Sequence, residues 1–311
     1  MEPLAVLAQS LAPALEEVSS DQLDQSIISG HPFVVRGCSI VRAAQERLSP
    51  EALKQLLRTT PISIEHKHRW ESRRTTLSAK EYLDNLDRTD FYWRQADLRS
   101  LGISDLKLPS PANFRPDTMF FDSLWVGPNG TVQTFHQDNH DAVVVNRNLF
   151  CQVHGSKYVA IASPADSEYF RAYPLKNGTD RHSSVSPFDP ATALSCPSFA
   201  HSILHSGDLL YVPPRYWHYL QSLSISVSVS RWWFSSRLVE LLYASAMGGE
   251  MAEPTFLGEL VWDNDVRELG GVEVLDQYIE RLSGVQKYAI YARLVRLYGE
   301  GIFKHGRQGK S

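Results

Sequence analysis

Residues 135–141 read FHQDNHD, placing two histidines and two aspartates within seven positions. Both residue types ligate metal ions. If TVQTFHQD (131–138) is a strand, its side chains alternate, and His136 and Asp138 project from one face. Two donors on one face can share an ion, but they need a third from elsewhere. GDLLYVPPRYWHYLQSL (207–223) supplies a candidate. Gly207-Asp208 turns the chain, LLYV reads as a buried strand, Pro213-Pro214 breaks it, and Trp217-His218 opens a new extended run. His136, Asp138 and His218 then form a two-histidine, one-carboxylate set. Such a set leaves three positions of an octahedral ion open and suits non-haem Fe(II) oxygenases. Zinc more usually sits tetrahedrally with a single open site. His140 and Asp141 are rival donors, but adjacent strand positions point to opposite sides. His201 and His205 are spaced i, i+4 in a strand-like run without HExxH, so no second metal site is expected.

The elements that must position these donors are legible from turn and cap signals. Ser20-Asp21 can cap a helix through Ile28 that ends at Gly30, and HPFVVRG (31–37) reads as a short strand. Ser49-Pro50-Glu51 is a cap followed by proline at the first helical position. Ser78 with Glu81 forms a capping box. From about residue 91 to 234, short β-rich runs follow one another: FYWRQ, MFFDSLWVG, TVQTFHQD, NLFCQVHG, KYVAIASP, HSILHSG, DLLYVPP and ISVSVSRWWF. Many short strands with regular turns point to a sandwich or barrel. After Ser235 the apolar spacing becomes helical. The expected division is a helical and mixed segment over 1–90, a β core over 91–235, and a helical region over 236–311. The last helices would either cover the barrel or pair two copies as a homodimer.

Composition narrows the class. Of 311 residues, 43% are hydrophobic and 21% charged, with a net charge of −4. That is ordinary for a globular protein. The bulk field gives no reason to expect a nucleic-acid partner, without excluding one. Three cysteines with no CxxC suggest neither a disulfide framework nor a zinc knuckle. The expected setting is reducing: cytoplasmic, or nuclear in a eukaryote. No signal peptide or membrane-spanning run is apparent, so no membrane partner is expected.

Three segments together resemble the JmjC family of cupin-fold Fe(II)/2-oxoglutarate oxygenases, in its small JmjC-only form: TVQTFHQD, NLFCQVHGSKYVAIASP and GDLLYVPPRYWHYLQSLSISVSVSRWW. The resemblance covers roughly residues 25–235. It implies a mainly β fold with flanking helices, built on a double-stranded β-helix (jelly-roll). It also implies Fe(II) on His136, Asp138 and His218, with 2-oxoglutarate and O2 as cosubstrates. Oxidation of 2-oxoglutarate to succinate and CO2 would accompany hydroxylation of a substrate C–H bond.

The distal carboxylate of 2-oxoglutarate needs a cation deep in the barrel. If His154-Gly155 is a tight hairpin turn, Gln152 pairs with Lys157. Alternation then puts Asn148, Phe150, Gln152 and Lys157 on one face. A buried lysine without an acid is costly, and a dicarboxylate would relieve that cost. By resemblance, Lys157, Asn148 and Tyr92 serve the cosubstrate, a polar position before the HxD falls at Gln133 or Thr134, and Ser230 is a further polar contact. The sequence departs from the family in the stretch NHDAVVVNR (139–147), where about three residues are usual. Asn146 thereby becomes an alternative to Asn148. Trp93, Arg94 and Arg215 are expected at the mouth. The substrate expected is an amino-acid side chain in a protein, a peptide or a free amino acid. A tRNA base, a small-molecule metabolite, N-methyl-lysine demethylation and a non-catalytic cupin binding module are the rivals.

Overall fold

A computed structural model describes residues 13–66, 74–110, 121–138, 146–171, 181–189 and 195–234. Residues 236–311, with the helices expected there, lie outside the described residues, as do His140 and Asp141.

The strands are β1 (Glu16–Val18), β2 (Phe33–Val35), β3 (Pro61–His66), β4 (Thr75–Ser78), β5 (Phe91–Asp97), β6 (Phe121–Gly127) and β7 (Val132–Gln137). They continue as β8 (Asn146–His154), β9 (Lys157–Ala162), β10 (Arg181–His182), β11 (Ala200–Leu204), β12 (Leu209–Val212), β13 (Trp217–Ser222) and β14 (Ser226–Phe234). The α-helices are α1 (Leu23–Ser29), α2 (Ser39–Leu48), α3 (Pro50–Leu57) and α4 (Ala79–Asp84). Their ends follow from local chemistry. Gly30 closes α1 in the left-handed region at φ 72°. Ser49 and Ser78 accept hydrogen bonds from the backbone N–H groups of Ala52 and Glu81, capping α3 and α4.

Two sheets face each other as a jelly-roll. The larger has nine strands in the order β1-β2-β12-β8-β14-β6-β5-β3-β4, and the smaller has five in the order β10-β7-β13-β9-β11. The N-terminal segment mixes helices with strands. It contributes β1 to β4 to the large sheet, with β2 paired directly to β12.

Alternation sorts side chains into three layers. Leu53, Leu57, Tyr82 and Trp93 belong to the core between the large sheet's outer face and the helices. Phe135, Tyr158, Phe170, Trp217 and Tyr219 fill the outer face of the small sheet. Between the sheets lie Val34, Tyr92, Trp125, Phe150, Val159, Leu210, Leu220 and Trp232. The functional side chains stand among this last set.

The passage from β8 to β9 differs from the hairpin expected at His154-Gly155. The two strands belong to opposite sheets and do not pair. Gly155 makes the crossing possible. Its φ is +74°, and a Cβ there would sit 1.9 Å from the Ile225 carbonyl oxygen. Gly155→Ala therefore combines left-handed strain with a backbone clash. It should destabilise the fold by roughly 2–4 kcal/mol, read as a lowered midpoint in chemical denaturation.

Candidate metal centre

The centre begins with register. β13 and β7 run antiparallel, and His218 lies directly opposite His136. Between His218 and Leu220 the pairing shifts, and Leu220 faces Gln133. This bulge inserts an extra residue into β7. It sends Phe135 into the outer core while Gln133 and His136 both turn inward. Asp138 follows two positions after His136, on the same side.

His136 Nε2 lies 3.4 Å and His218 Nε2 3.6 Å from Asp138 Oδ1. One ligand atom from each of the three residues falls within 4.8 Å of the others. The Nδ1 atoms are engaged by backbone carbonyls: His136 with Thr134 O at 2.7 Å and His218 with Tyr216 O at 2.9 Å. A carbonyl only accepts, so each Nδ1 carries a proton, and each Nε2 is left facing Asp138, able to offer a lone pair to an ion when unprotonated. Burial opposes the Asp138 carboxylate, yet the adjacent imidazoles His218 and His136 hold its pKa well below the usual carboxylate range. Two oriented imidazoles and one carboxylate fit an octahedral ion with an open face.

The three donors open onto a cavity with about 490 Å³ of empty space, mouth included. Tyr92, Gln133, Asn148, Lys157 and Ser230 line it. Thr134 does not, a consequence of the bulge. Its hydroxyl lies 3.5 Å from His182 Nδ1 instead. Gln152 shares the inner face of β8 with Asn148 and Phe150 but sits beyond the cavity, bonded to Ser226 and Ser228. The Asn146 side chain lies outside the described residues. Trp93 is buried in the outer core rather than at the mouth. Arg94, two residues from Tyr92, forms an ion pair with Glu65 at 3.0 Å. Arg215 takes a left-handed φ of 62° in the turn before β13, where its carbonyl accepts from Gln137.

Three features escaped sequence reasoning. His182 on the short edge strand β10 stands opposite His136, with the rings stacked at 5.3 Å and 12°. Burial and the neighbouring imidazole of His136 push its pKa down to about 3, so it is neutral. Trp125 and Trp232 wall the cavity. Alternation along LWVG and SRWWF could have flagged both tryptophans, since each shares a face with Ser230.

Comparison with known proteins agrees with this geometry. A family model described as a cupin-like domain matches residues 20–237. The chain belongs to the cupin-like family, in its JmjC branch. Jumonji C domain-containing protein 5 of Drosophila melanogaster is 38% identical over 114 residues, 35% of this chain and 26% of that protein. Lysine-specific demethylase JMJ30 of Arabidopsis thaliana is 35% identical over 116 residues, 36% of this chain and 25% of the relative. Lysine-specific demethylase 8 of Danio rerio is 33% identical over 116 residues, 36% and 27% of the two lengths. The matched segment thus spans about a quarter of each relative.

In this JmjC-type cupin the cavity has one conspicuous electrostatic feature. Lys157 is 3% exposed and has no carboxylate partner among the described residues. Its Nζ lies 5.2 Å from the Phe150 ring centroid and 5.9 Å from that of Tyr92. Aromatic faces offset part of the desolvation of a cation but do not replace an acid. Burial alone pushes the Lys157 pKa down to about 7. Around it, Asn148 Oδ1 is buried without a partner. The Tyr92 hydroxyl has no protein partner among the described residues, and burial raises its pKa, keeping it a donor. Gly127 leaves space for that ring, since a Cβ there would come within 2.8 Å of Tyr92 Cδ2. A buried cation, an orphaned amide oxygen and a free hydroxyl together fit a carboxylate-bearing ligand.

Below pH 7 Lys157 is charged in both folded and unfolded chains, and the burial cost is fully present. As pH rises from about 7 towards 10.5 the folded chain holds fewer protons than the unfolded one, and the cost fades. Lys157→Met should therefore stabilise the ligand-free protein at pH 6 by on the order of 3 kcal/mol. The gain should shrink steadily above pH 7, as measured by denaturation across pH.

Proposed function

We propose that this chain is an Fe(II)- and 2-oxoglutarate-dependent oxygenase that hydroxylates a C–H bond of an amino-acid side chain, in a protein, a peptide or a free amino acid. The observation that carries the reading is the coexistence, in one cavity, of a two-histidine, one-carboxylate cluster and a buried lysine with no acid beside it. Either alone has ordinary explanations. Together they match a cofactor and a dicarboxylic cosubstrate bound side by side.

His136, Asp138 and His218 would hold the metal, and Lys157 with Tyr92 the distal carboxylate. Asn148, Gln133 and Ser230 would complete the polar lining. When bound, iron supplies the O2 chemistry that converts 2-oxoglutarate to succinate and CO2 and leaves a hydroxyl on the substrate carbon. The chain's own residues bind, orient and exclude water. Lys157 sits in register with Ser222, four residues along β13 from His218. That is about 13 Å at strand rise, part of it covered by the lysine stem and the imidazole. The remaining gap suits a short dicarboxylate. The ligand's charge would restore the proton that burial strips from Lys157. The aromatic walls keep bulk water from the reacting atoms.

A second reading has specific support. Two of the three relatives described above are named lysine-specific demethylases. Hydroxylation of an N-methyl carbon yields a hemiaminal that releases formaldehyde, so the same centre would serve.

The test is turnover of 2-oxoglutarate to succinate with Fe(II), followed by a mass-spectrometric substrate screen for the gain of one oxygen atom. Formaldehyde release with methylated peptides marks the second reading. His136→Ala and Asp138→Ala should abolish succinate formation. Lys157→Ala should raise the apparent KM for 2-oxoglutarate roughly 30-fold or more, the cost of removing one partner of a buried charge pair. An unchanged KM would sink the cosubstrate assignment and favour a cupin that needs none.

A further inference from the structure

Asp138 is held from two directions. Its Oδ1 faces both histidine Nε2 atoms, at 3.4 and 3.6 Å. Its Oδ2 accepts a hydrogen bond from the indole Nε1 of Trp232 at 3.2 Å. Trp232 comes from β14 in the large sheet, whereas every metal-site donor described above comes from the small sheet side. The indole therefore spans the gap between the sheets and ends on the ligand carboxylate.

We propose that Trp232 is the positioning residue of the metal centre, keeping Asp138 a one-armed ligand. The inference rests on the oxygenase reading and goes beyond it, since it assigns the geometry of the carboxylate to one N–H. A carboxylate beside a metal ion can bind through one oxygen or both. Binding through both would occupy one of the three open positions that a chelating keto acid and O2 must share. The Trp232 N–H withdraws Oδ2 from that choice.

The side chain is suited to the task. Indole is a donor only, so it selects a carboxylate oxygen and cannot be satisfied by the imidazole N–H groups nearby. It is rigid, with two side-chain torsions, and its plane is fixed. Trp232 is 9% exposed and meets Trp125 edge-to-face at 6.0 Å and 72°. Trp125 is anchored in turn by its own Nε1, which donates to Ser230 Oγ at 3.0 Å. Ser230 and Trp232 are successive inward positions of β14, paired with Phe150 and Asn148 of β8. One strand thus fixes both tryptophans, and through them the carboxylate.

Two variants test this, with Co(II) as the probe ion under anaerobic conditions. Trp232→Phe keeps an aromatic ring and removes the N–H. Replacing Trp232 with its benzothiophene analogue preserves the bicyclic shape and removes the N–H alone. Both should bind Co(II) at least as tightly as wild type, because the freed Oδ2 can join Oδ1 on the ion. The Co(II)-loaded variants should nonetheless bind 2-oxoglutarate about tenfold or more weakly, since a position the keto acid needs is then taken. The analogue should keep the wild-type melting temperature without metal. Unchanged 2-oxoglutarate affinity in the Co(II)-loaded analogue overturns the proposal and leaves Trp232 a packing residue, whatever Trp232→Phe does. If the wild-type protein takes up no Co(II), or Asp138→Ala retains full affinity, the oxygenase reading itself falls, and this proposal with it.

Discussion

The antiparallel pairing of β13 with β7 is the constraint on which the centre depends. It sets His218 opposite His136, two residues far apart in the chain, and no local preference could do so. Strand register is all-or-none. A slip of one residue would turn every inward side chain of β13 outward, exchanging His218 and Leu220 for Trp217 and Tyr219. The outer core makes such a slip costly, because Trp217 and Tyr219 are packed against Phe170 and Phe135. The geometry of the His-Asp-His cluster is thereby enforced from the opposite face of the sheet. The bulge in β7 reconciles two demands that strict alternation cannot meet together. Phe135 belongs to that outer core, yet Gln133 and His136 both belong inside.

The second constraint opposes stability. An apolar layer between two sheets is the natural place for leucine and valine, and this one contains an uncompensated lysine. The fold tolerates it because hydrophobic contacts elsewhere are extensive and because two aromatic faces soften the desolvation. A residue that costs folding free energy and has no structural partner is held by a demand other than folding. Its neighbours reinforce the point. Deeper in the same layer, Gln152 has its amide satisfied by Ser226, Ser228 and the His154 carbonyl. The sheet can satisfy a buried polar group with its own side chains. Around Lys157 it does not.

Much of this was legible in the sequence, and the limits have physical causes. HxD and the distant Trp-His are local signatures, and strand periodicity alone puts His136 and Asp138 on one face. Helix caps at Ser49 and Ser78 and the stop at Gly30 are likewise written in short-range chemistry. The β8–β9 hairpin was misread, because a tight turn between two strands looks the same whether they pair or part into different sheets. Only the close approach of Gly155 to Ile225 marks the difference, and that contact is tertiary. Asn148, Phe150 and Lys157 nonetheless meet in the cavity, since the jelly-roll faces the inner sides of the two sheets towards each other. The choice of Gln133 over Thr134 hung on a bulge that no periodicity announces. His182 was invisible because β10 is a two-residue strand without a pattern of its own.

The division of labour between the sheets gives the site its logic. All three candidate metal donors are set by β7, β13 and the residue just after β7, so their mutual geometry is that of one rigid hydrogen-bonded sheet. Lys157 comes from β9 of the same sheet, directly paired with β13. Tyr92, Asn148, Ser230 and Trp232 come from the large sheet and form the facing wall. A ligand held between Lys157 and Tyr92 would therefore touch both sheets, as the Trp232–Asp138 hydrogen bond does. These bridges cross an interlayer gap otherwise closed by non-directional apolar contacts, which fix an area of burial more firmly than a distance. Directional bonds across the gap supply what packing alone does not: a defined separation between the wall that carries the His-Asp-His cluster and the wall that completes the pocket.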